Sequence, residues 1–326
     1  GDKFFLSGTA RLDGDKASGL SVGVGLFTPS KASLGIYARL EVRERGKEIF
    51  IDREFMVPPD GGYIQLWVAG YGKAASMIGD IRLVKTGHYA VDIEGMPSTY
   101  FLENGFLEFK LDIKECRFTV KDKRTGKIWK TAKAGNFIFD VTSRKGEISF
   151  KVIEPEFGNT VTVTAKLEAG SAELVFILSG AADRGFVSVD FPPFFRLSGD
   201  SRLVLPLQEG LLLPSSKVKE LAVSAFNRLG YYGGNLSMPF CGLVDSDSGV
   251  MQIIETPFDY SLKIDKDKET AEVELTNSWL GERGKFGYDR VARFIFFDSG
   301  DYTELVKFYK KYAGLKDLIK PLREKS

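Results

Sequence analysis

Histidine is nearly missing from this chain: His88 is the single one in 326 residues. A serine or cysteine triad could be built only on that imidazole, and a multi-histidine metal site has no ligands to draw on. His88 sits in a Gly-His-Tyr link and reads as a surface or linker residue. Cysteine is almost as scarce. Cys116 and Cys241 stand far apart without CxxC spacing, which suggests neither zinc nor a disulfide framework. Both read as unpaired small core residues. No block of lysine or arginine stands out among 45 basic and 44 acidic residues, so nucleic acid finds no electrostatic footprint. No apolar run approaches the ~18–20 residues of a membrane span. The chain starts at Gly1, without Met or a leader-like apolar segment, and is expected to be a trimmed or mature chain whose export signal is not visible. An extracellular, periplasmic or cell-surface location is expected, with the cytoplasm as the alternative.

What is present is a strand pattern. Hydrophobic content of 43% with 27% charged residues suits a globular chain large enough for sizeable cores. Up to residue 88, strand-like runs at 4–12, 20–28, 33–43, 47–57, 63–69 and 75–84 alternate with turn-forming pieces such as Pro58-Pro-Asp-Gly-Gly. That spacing predicts a small antiparallel sandwich. In the fifth run Ile64, Leu66 and Val68 are predicted to face the core, leaving Tyr63, Gln65, Trp67 and Ala69 outward. An outward Tyr63 and Trp67, with Tyr37 and Tyr71 near them, would make a platform on which sugar C–H faces can stack. The alternative is that a neighbouring domain covers these rings.

From residue 89 the strands are longer. Residues 107–113, 148–152, 161–167 and 271–275 alternate strictly, and Asp122-Lys-Arg-Thr-Gly126 is predicted to turn a hairpin with Gly126 left-handed. About ten or more strands exceed an immunoglobulin-sized domain, so one large two-sheet sandwich is expected. Residues 215–228 allow a short helix or a loop. Near the end, Asp301 and Glu304 have capping-box spacing, and Leu305, Phe308, Tyr309 and Tyr312 form a helical stripe that Gly314 can close. The densest group of turn-fixing residues is 203–260, where Tyr231, Tyr232, Glu255 and Asp259 stand among glycines and prolines. Acid pairs such as Asp13/Asp15 and Asp245/Asp247 could ligate calcium but are more often turn residues; no cofactor is expected.

Two resemblances follow from these pieces. Residues 1–88, ending in Gly79-Asp-Ile-Arg-Leu, resemble the jelly-roll modules that accompany carbohydrate-active enzymes. Further on come, in order, the hairpin Asp122–Trp129, the Leu205–Pro214 segment, Met238-Pro-Phe-Cys-Gly-Leu with Ile253-Ile-Glu-Thr-Pro-Phe-Asp, and Tyr288–Phe297 followed by Asp301–Tyr312. Together they resemble the β-supersandwich, similar to galactose mutarotase, that precedes the catalytic (β/α)8 barrel of α-galactosidase-like and endo-α-N-acetylgalactosaminidase-like glycoside hydrolases. The resemblance implies an all-β chain: a jelly-roll module at 1–88, a supersandwich at 89–300, and a helical linker at 301–326 toward a barrel. No βα repeat follows residue 326, so the implied role is non-catalytic, within a parent glycoside hydrolase. It would brace the barrel and contact carbohydrate. The candidate contacts are Tyr37, Tyr63, Trp67 and Tyr71 on the first unit, and Glu255, Asp259, Tyr231, Tyr232 and Trp279 on the second. A stand-alone carbohydrate-binding or structural surface protein is the alternative. A mutarotase-like epimerase, whose family uses a Glu with histidines, is disfavoured by the one histidine.

Overall fold

A computed structural model describes residues 2–14, 18–31, 33–57, 61–88, 96–132, 138–153, 160–180, 188–197, 199–207, 210–218, 221–224, 236–266, 273–281 and 286–316. Among these residues the strand ladders are all antiparallel, and the fold is all-β apart from two 3₁₀ turns and one C-terminal helix.

The first sandwich uses six strands. One sheet is ordered β4 (Glu48–Val57), β1 (Asp2–Gly14), β6 (Ala74–His88), and the other β3 (Ser33–Val42), β2 (Gly19–Phe27), β5 (Tyr63–Tyr71). Alternation decides the core. Leu6, Ala10 and Leu12 of β1 meet Leu20, Val22, Val24 and Leu26 of β2, with Ile51 and Phe55 of β4 closing one side. β5 follows its predicted alternation only in direction. It pairs with β2 so that Ile64, Leu66 and Val68 share the inward face of Leu26, Val24 and Val22. Ile64 packs against the core, whereas Leu66 and Val68 stay 45% exposed. An edge strand is covered from one side alone, which leaves part of its inward face open to water.

The second sandwich is larger. A four-stranded sheet runs β10 (Ile128–Lys130), β9 (Arg117–Asp122), β8 (Leu107–Asp112), β7 (Thr99–Glu103). A nine-stranded sheet runs β11 (Ile138–Arg144), β12 (Glu147–Ile153), β13 (Thr160–Leu167), β14 (Glu173–Ser179), β23 (Arg290–Phe297), β20 (Gly249–Ile254), β19 (Phe240–Val244), β16 (Arg202–Leu205), β17 (Leu211–Pro214). A further sheet runs β15 (Ser188–Val189), β22 (Val273–Leu280), β21 (Tyr260–Lys266), β18 (Leu221–Ser224). The strictly alternating runs bury one face each: Leu107, Phe109 and Leu111 in β8, Ile148, Phe150 and Val152 in β12, Val161, Val163 and Ala165 in β13. Phenylalanines fill the centre, with Phe118, Phe176, Phe195 and Phe294 in edge-on or tilted contacts at ring separations of 5.0–5.9 Å.

The hairpin at 122–126 turns as its glycine required, with Gly126 at φ 75°. Asp122 is fully buried and holds Arg124, which also donates to the Phe296 carbonyl at 2.7 Å. Lys127 ion-pairs with Asp245, and Ser201 hydrogen-bonds the same carboxylate. The hairpin thus clamps the four-stranded sheet onto the nine-stranded one.

Residues 215–228 form no α-helix where described. A single 3₁₀ turn at Ser215–Lys217 leads into β18, whose Leu221 to Ser224 pair with Ile264 to Ser261 of β21. The sheet edge offers this segment a ladder of backbone bonds that an isolated short helix could not match. The last element, α1 (Tyr302–Leu315), begins on Asp301, whose carboxylate accepts the Thr303 N–H at 2.9 Å. The capping box is only half formed, since the Glu304 side chain pairs with Lys307 instead of reaching back. The helix runs one residue past Gly314. It lays Leu305, Tyr309 and Ala313 on the outer face of the nine-stranded sheet, over Val204, Phe240, Met251 and Ile295. That cover explains why β20 is buried on both faces, BBBBBB along its length.

Candidate functional site

The best-formed candidate is the outward face of the β3-β2-β5 sheet. β2 reads Gly19-Leu-Ser-Val-Gly-Val-Gly-Leu-Phe27, so every inward residue is large and every outward one before Phe27 is Gly or Ser. The register to β5 runs without a break from Gly19–Tyr71 to Phe27–Tyr63, placing Tyr71 beside Gly19, Trp67 beside Gly23 and Tyr63 beside Phe27. Residues directly paired across strands share a face. Tyr63, Trp67 and Tyr71 therefore lie in one outward row, with Tyr63 51% and Tyr71 50% exposed. The missing side chains of β2 matter. A Cβ on Gly19 would stand 2.0 Å from Cζ of Tyr71, so that ring lies across the strand where the glycine leaves room.

On the other flank, β3 carries a bulge. Val22 pairs with Leu40 and Val24 with Tyr37, so Ala38 and Arg39 together oppose Gly23. Ala38, at φ 52°, is buried inward, whereas Arg39 is exposed. Arg39 donates from Nε to Ser21 Oγ at 3.1 Å and from Nη2 to Glu41 at 2.8 Å, and its guanidinium lies 5.6 Å from the Trp67 ring centre. Glu41 also takes Arg43 at 2.6 Å. The Arg43 hydrogen bond, helped by the charge of Arg39, holds the Glu41 carboxyl below its ordinary range. The result is a fixed group of hydrogen-bonding side chains at the middle of an aromatic row. Tyr37 has its backbone in β3, and its side chain lies outside the described residues.

The second group of candidates separates. Tyr231 and Tyr232 lie outside the described residues. Trp279 does not wall a cleft. It is fully buried in β22, packs against Tyr260 at 5.0 Å, and donates its indole N–H to the Phe191 carbonyl at 2.7 Å. In the alternation of β22 it falls on the core side, which its aromatic character alone did not reveal. Beside it Asn277, also fully buried, accepts from Gln252 and Tyr260 and donates to the Pro192 carbonyl. This polar chain ties β20, β21 and β22 together.

Glu255 and Asp259 are both held by arginines. Glu255 accepts Arg293 Nε at 2.6 Å, and Arg293 also reaches Glu173 at 2.7 Å. Burial opposes the Arg293 charge, yet the Glu255 and Glu173 contacts hold its pKa above the ordinary arginine value. Asp259 accepts from Tyr288 at 2.7 Å and from Arg290 at 3.1 Å, and the Arg290 guanidinium stacks 3.3 Å from the centre of the Tyr288 ring. Asp259 is buried and Glu255 is 20% exposed at its side chain, each already held by an arginine; what the turn presents to solvent is Phe258, 64% exposed. Asp245 of the calcium candidates is engaged by Lys127. Among the described residues no three His, Cys, Asp or Glu gather as a metal site, and no helix is long and apolar enough to cross a membrane.

Sequence reasoning missed Arg39, Ser21 and Glu41. The signal available was the small-large alternation of β2, which marks a strand with one face kept bare.

No family model matches the chain, and no curated protein does. Solved structures do. The α-N-acetylgalactosaminidase of Bifidobacterium bifidum superposes with a TM-score of 0.55 in its GalNAc complex, at 17% identity over 67% of this chain and 39% of that one. Its Gal-NHAc-DNJ complex gives 0.57, at 18% identity over 69% of this chain and 40% of that one. The likeness is one of fold. The chain spans about two-fifths of the length of the glycosidase it resembles. An α-galactosidase of Lactobacillus brevis also aligns, at a TM-score of 0.39 and 8% identity, too distant to argue from.

Proposed function

We propose that this chain is a non-catalytic portion of a glycoside hydrolase, whose large sandwich braces a catalytic barrel and whose small sandwich contacts carbohydrate through Tyr63, Trp67 and Tyr71. The glycosidase assignment rests on the shared fold with an α-N-acetylgalactosaminidase of which the chain spans only two-fifths. The carbohydrate contact is carried by one observation, the outward row of aromatics over a bare strand. Planar rings offer apolar faces to sugar C–H groups and leave polar edges for hydroxyls. Arg39 and Glu41 supply hydrogen-bonding groups beside the central ring, and the buried Ser21 holds Arg39 in place. A location outside the cytoplasm fits a protein that meets polysaccharide.

Affinity electrophoresis through gels loaded with soluble glycans tests this reading, with Trp67→Ala run beside the wild type and circular dichroism checking the fold. Retention of the wild type on at least one glycan, lost in a folded Trp67→Ala, is the expected result. A wild type that migrates freely in every gel withdraws the carbohydrate contact.

A further inference from the structure

We infer that the β3-β2-β5 face takes a linear glycan several residues long, lying along β5, rather than a single terminal sugar. The inference rests on the carbohydrate reading above and adds the shape of the ligand. Tyr63, Trp67 and Tyr71 are each four residues apart on a strand whose pairing with β2 has no bulge. At ~3.3 Å per residue the backbone positions of neighbouring ring-bearing residues stand ~13 Å apart and the row spans ~26 Å. One sugar ring is too small to reach two of them; a chain that continues along the strand reaches all three.

The rest of the face fits such a run. β2 offers Gly19, Ser21, Gly23 and Gly25 outward, so no large side chain rises beside the row until Phe27. Tyr71 is laid over Gly19 by that vacancy, and Phe27 folds back over Gly25, within 3.1 Å of where a Cβ would stand. The bulge at Ala38 places Arg39 outward at the middle of the row, where Ser21 and Glu41 already fix its orientation. A left-handed φ on a non-glycine residue is a strained arrangement, of the kind that persists at functional sites. Gln65 and Ala69 separate the rings, and Leu66 and Val68 face the other way. The aromatics are thus spaced steps instead of the continuous apolar patch that a protein partner would cover.

The test uses the whole chain and ladders from disaccharide to octasaccharide of β-linked glucose, xylose, mannose, galactose and a uronic acid, alongside the parent polysaccharides. Affinity is measured by calorimetry or gel retardation. On the ladder whose parent is retained, affinity should rise by about tenfold or more between disaccharide and hexasaccharide, tenfold being ~1.4 kcal/mol of added contact. Tyr63→Ala and Tyr71→Ala should each flatten that rise and leave the disaccharide affinity in place. Gly19→Ala should behave like Tyr71→Ala, because its Cβ displaces the ring without deleting it. Equal affinity for disaccharide and hexasaccharide, with the parent still retained, overturns the linear run and spares the carbohydrate contact. No binding to any ladder or parent overturns both. Self-association that Trp67→Ala abolishes, without glycan binding, assigns the face to protein contact and also overturns the inference.

Discussion

Asp259 and Arg290 are buried to 4% and 0% exposure, and each is the other's charge partner. Removing one partner of such a pair leaves an uncompensated charge in the interior, at a cost of about 3–5 kcal/mol. Asp259→Ala should therefore lower the stability of the second sandwich by that order, measured as a shifted denaturant midpoint. Asp259→Asn, which keeps an acceptor for Tyr288, should cost less. Cys241 gives a pH-dependent counterpart. Burial pushes its thiol up to about 12 from an ordinary 9.0. With the folded value above the unfolded one, the protonated form is favoured by folding. The contribution is intact below about pH 9 and is lost as pH climbs toward 12. Native protein at pH 8 should leave both Cys241 and Cys116 unmodified by iodoacetamide, and denaturant should release both. Rapid native labelling of Cys241 would contradict its placement.

At the scale of elements, α1 is held by its inward stripe and started by its cap. Leu305 is fully buried and its methyls sit over Gly242, where a Cβ would come within 2.5 Å of Cδ2. Leu305→Ala should cost ~2–5 kcal/mol. Gly242→Val should lift the helix from the sheet and expose Met251 and Ile253, an effect visible as faster amide exchange along α1. The Asp301 carboxyl is held below its ordinary 3.8 by its hydrogen bonds to the Thr303 hydroxyl and N–H. A depressed acid contributes above its unfolded pKa, so the cap is present at neutral pH and lost as pH falls below about 3.8. First-turn amide protection should fade on acidification in the wild type. In Asp301→Asn, whose side chain does not titrate in that range, it should not.

For the whole molecule, the cores of the two sandwiches are built from separate residues: Leu6, Val22, Ile51 and Phe55 in one, Phe109, Phe118, Phe176 and Phe294 in the other. We expect two calorimetric transitions. Phe55→Ala should lower one midpoint and Phe176→Ala the other, each by the ~3–5 kcal/mol typical of an emptied aromatic site. A single transition shifted equally by both variants would show that the sandwiches unfold together. The clamp of Lys127 and Ser201 on Asp245 belongs to the second unit alone, so Asp245→Ala should move only that transition.

Alternation made much of this legible beforehand. Strand runs such as 20–28, 63–69 and 161–167, the left-handed Gly126, and the α1 stripe are local features, set by side-chain period and by backbone conformations that few residues tolerate. The same period sent Tyr63 and Trp67 outward. It could not say which alternating face lies under another layer. Trp279 and Asn277 were hidden by their position between two sheets, and β18 became a strand because β21 offered an edge to pair with. Glu255 and Asp259 looked available in the sequence because Arg293 and Arg290 stand more than thirty residues away along the chain. Register across strands, a long-range property, brought those charges together and laid Tyr71 over Gly19. Composition and period therefore decided the architecture, and the meeting of distant strands decided which side chains remain free to act.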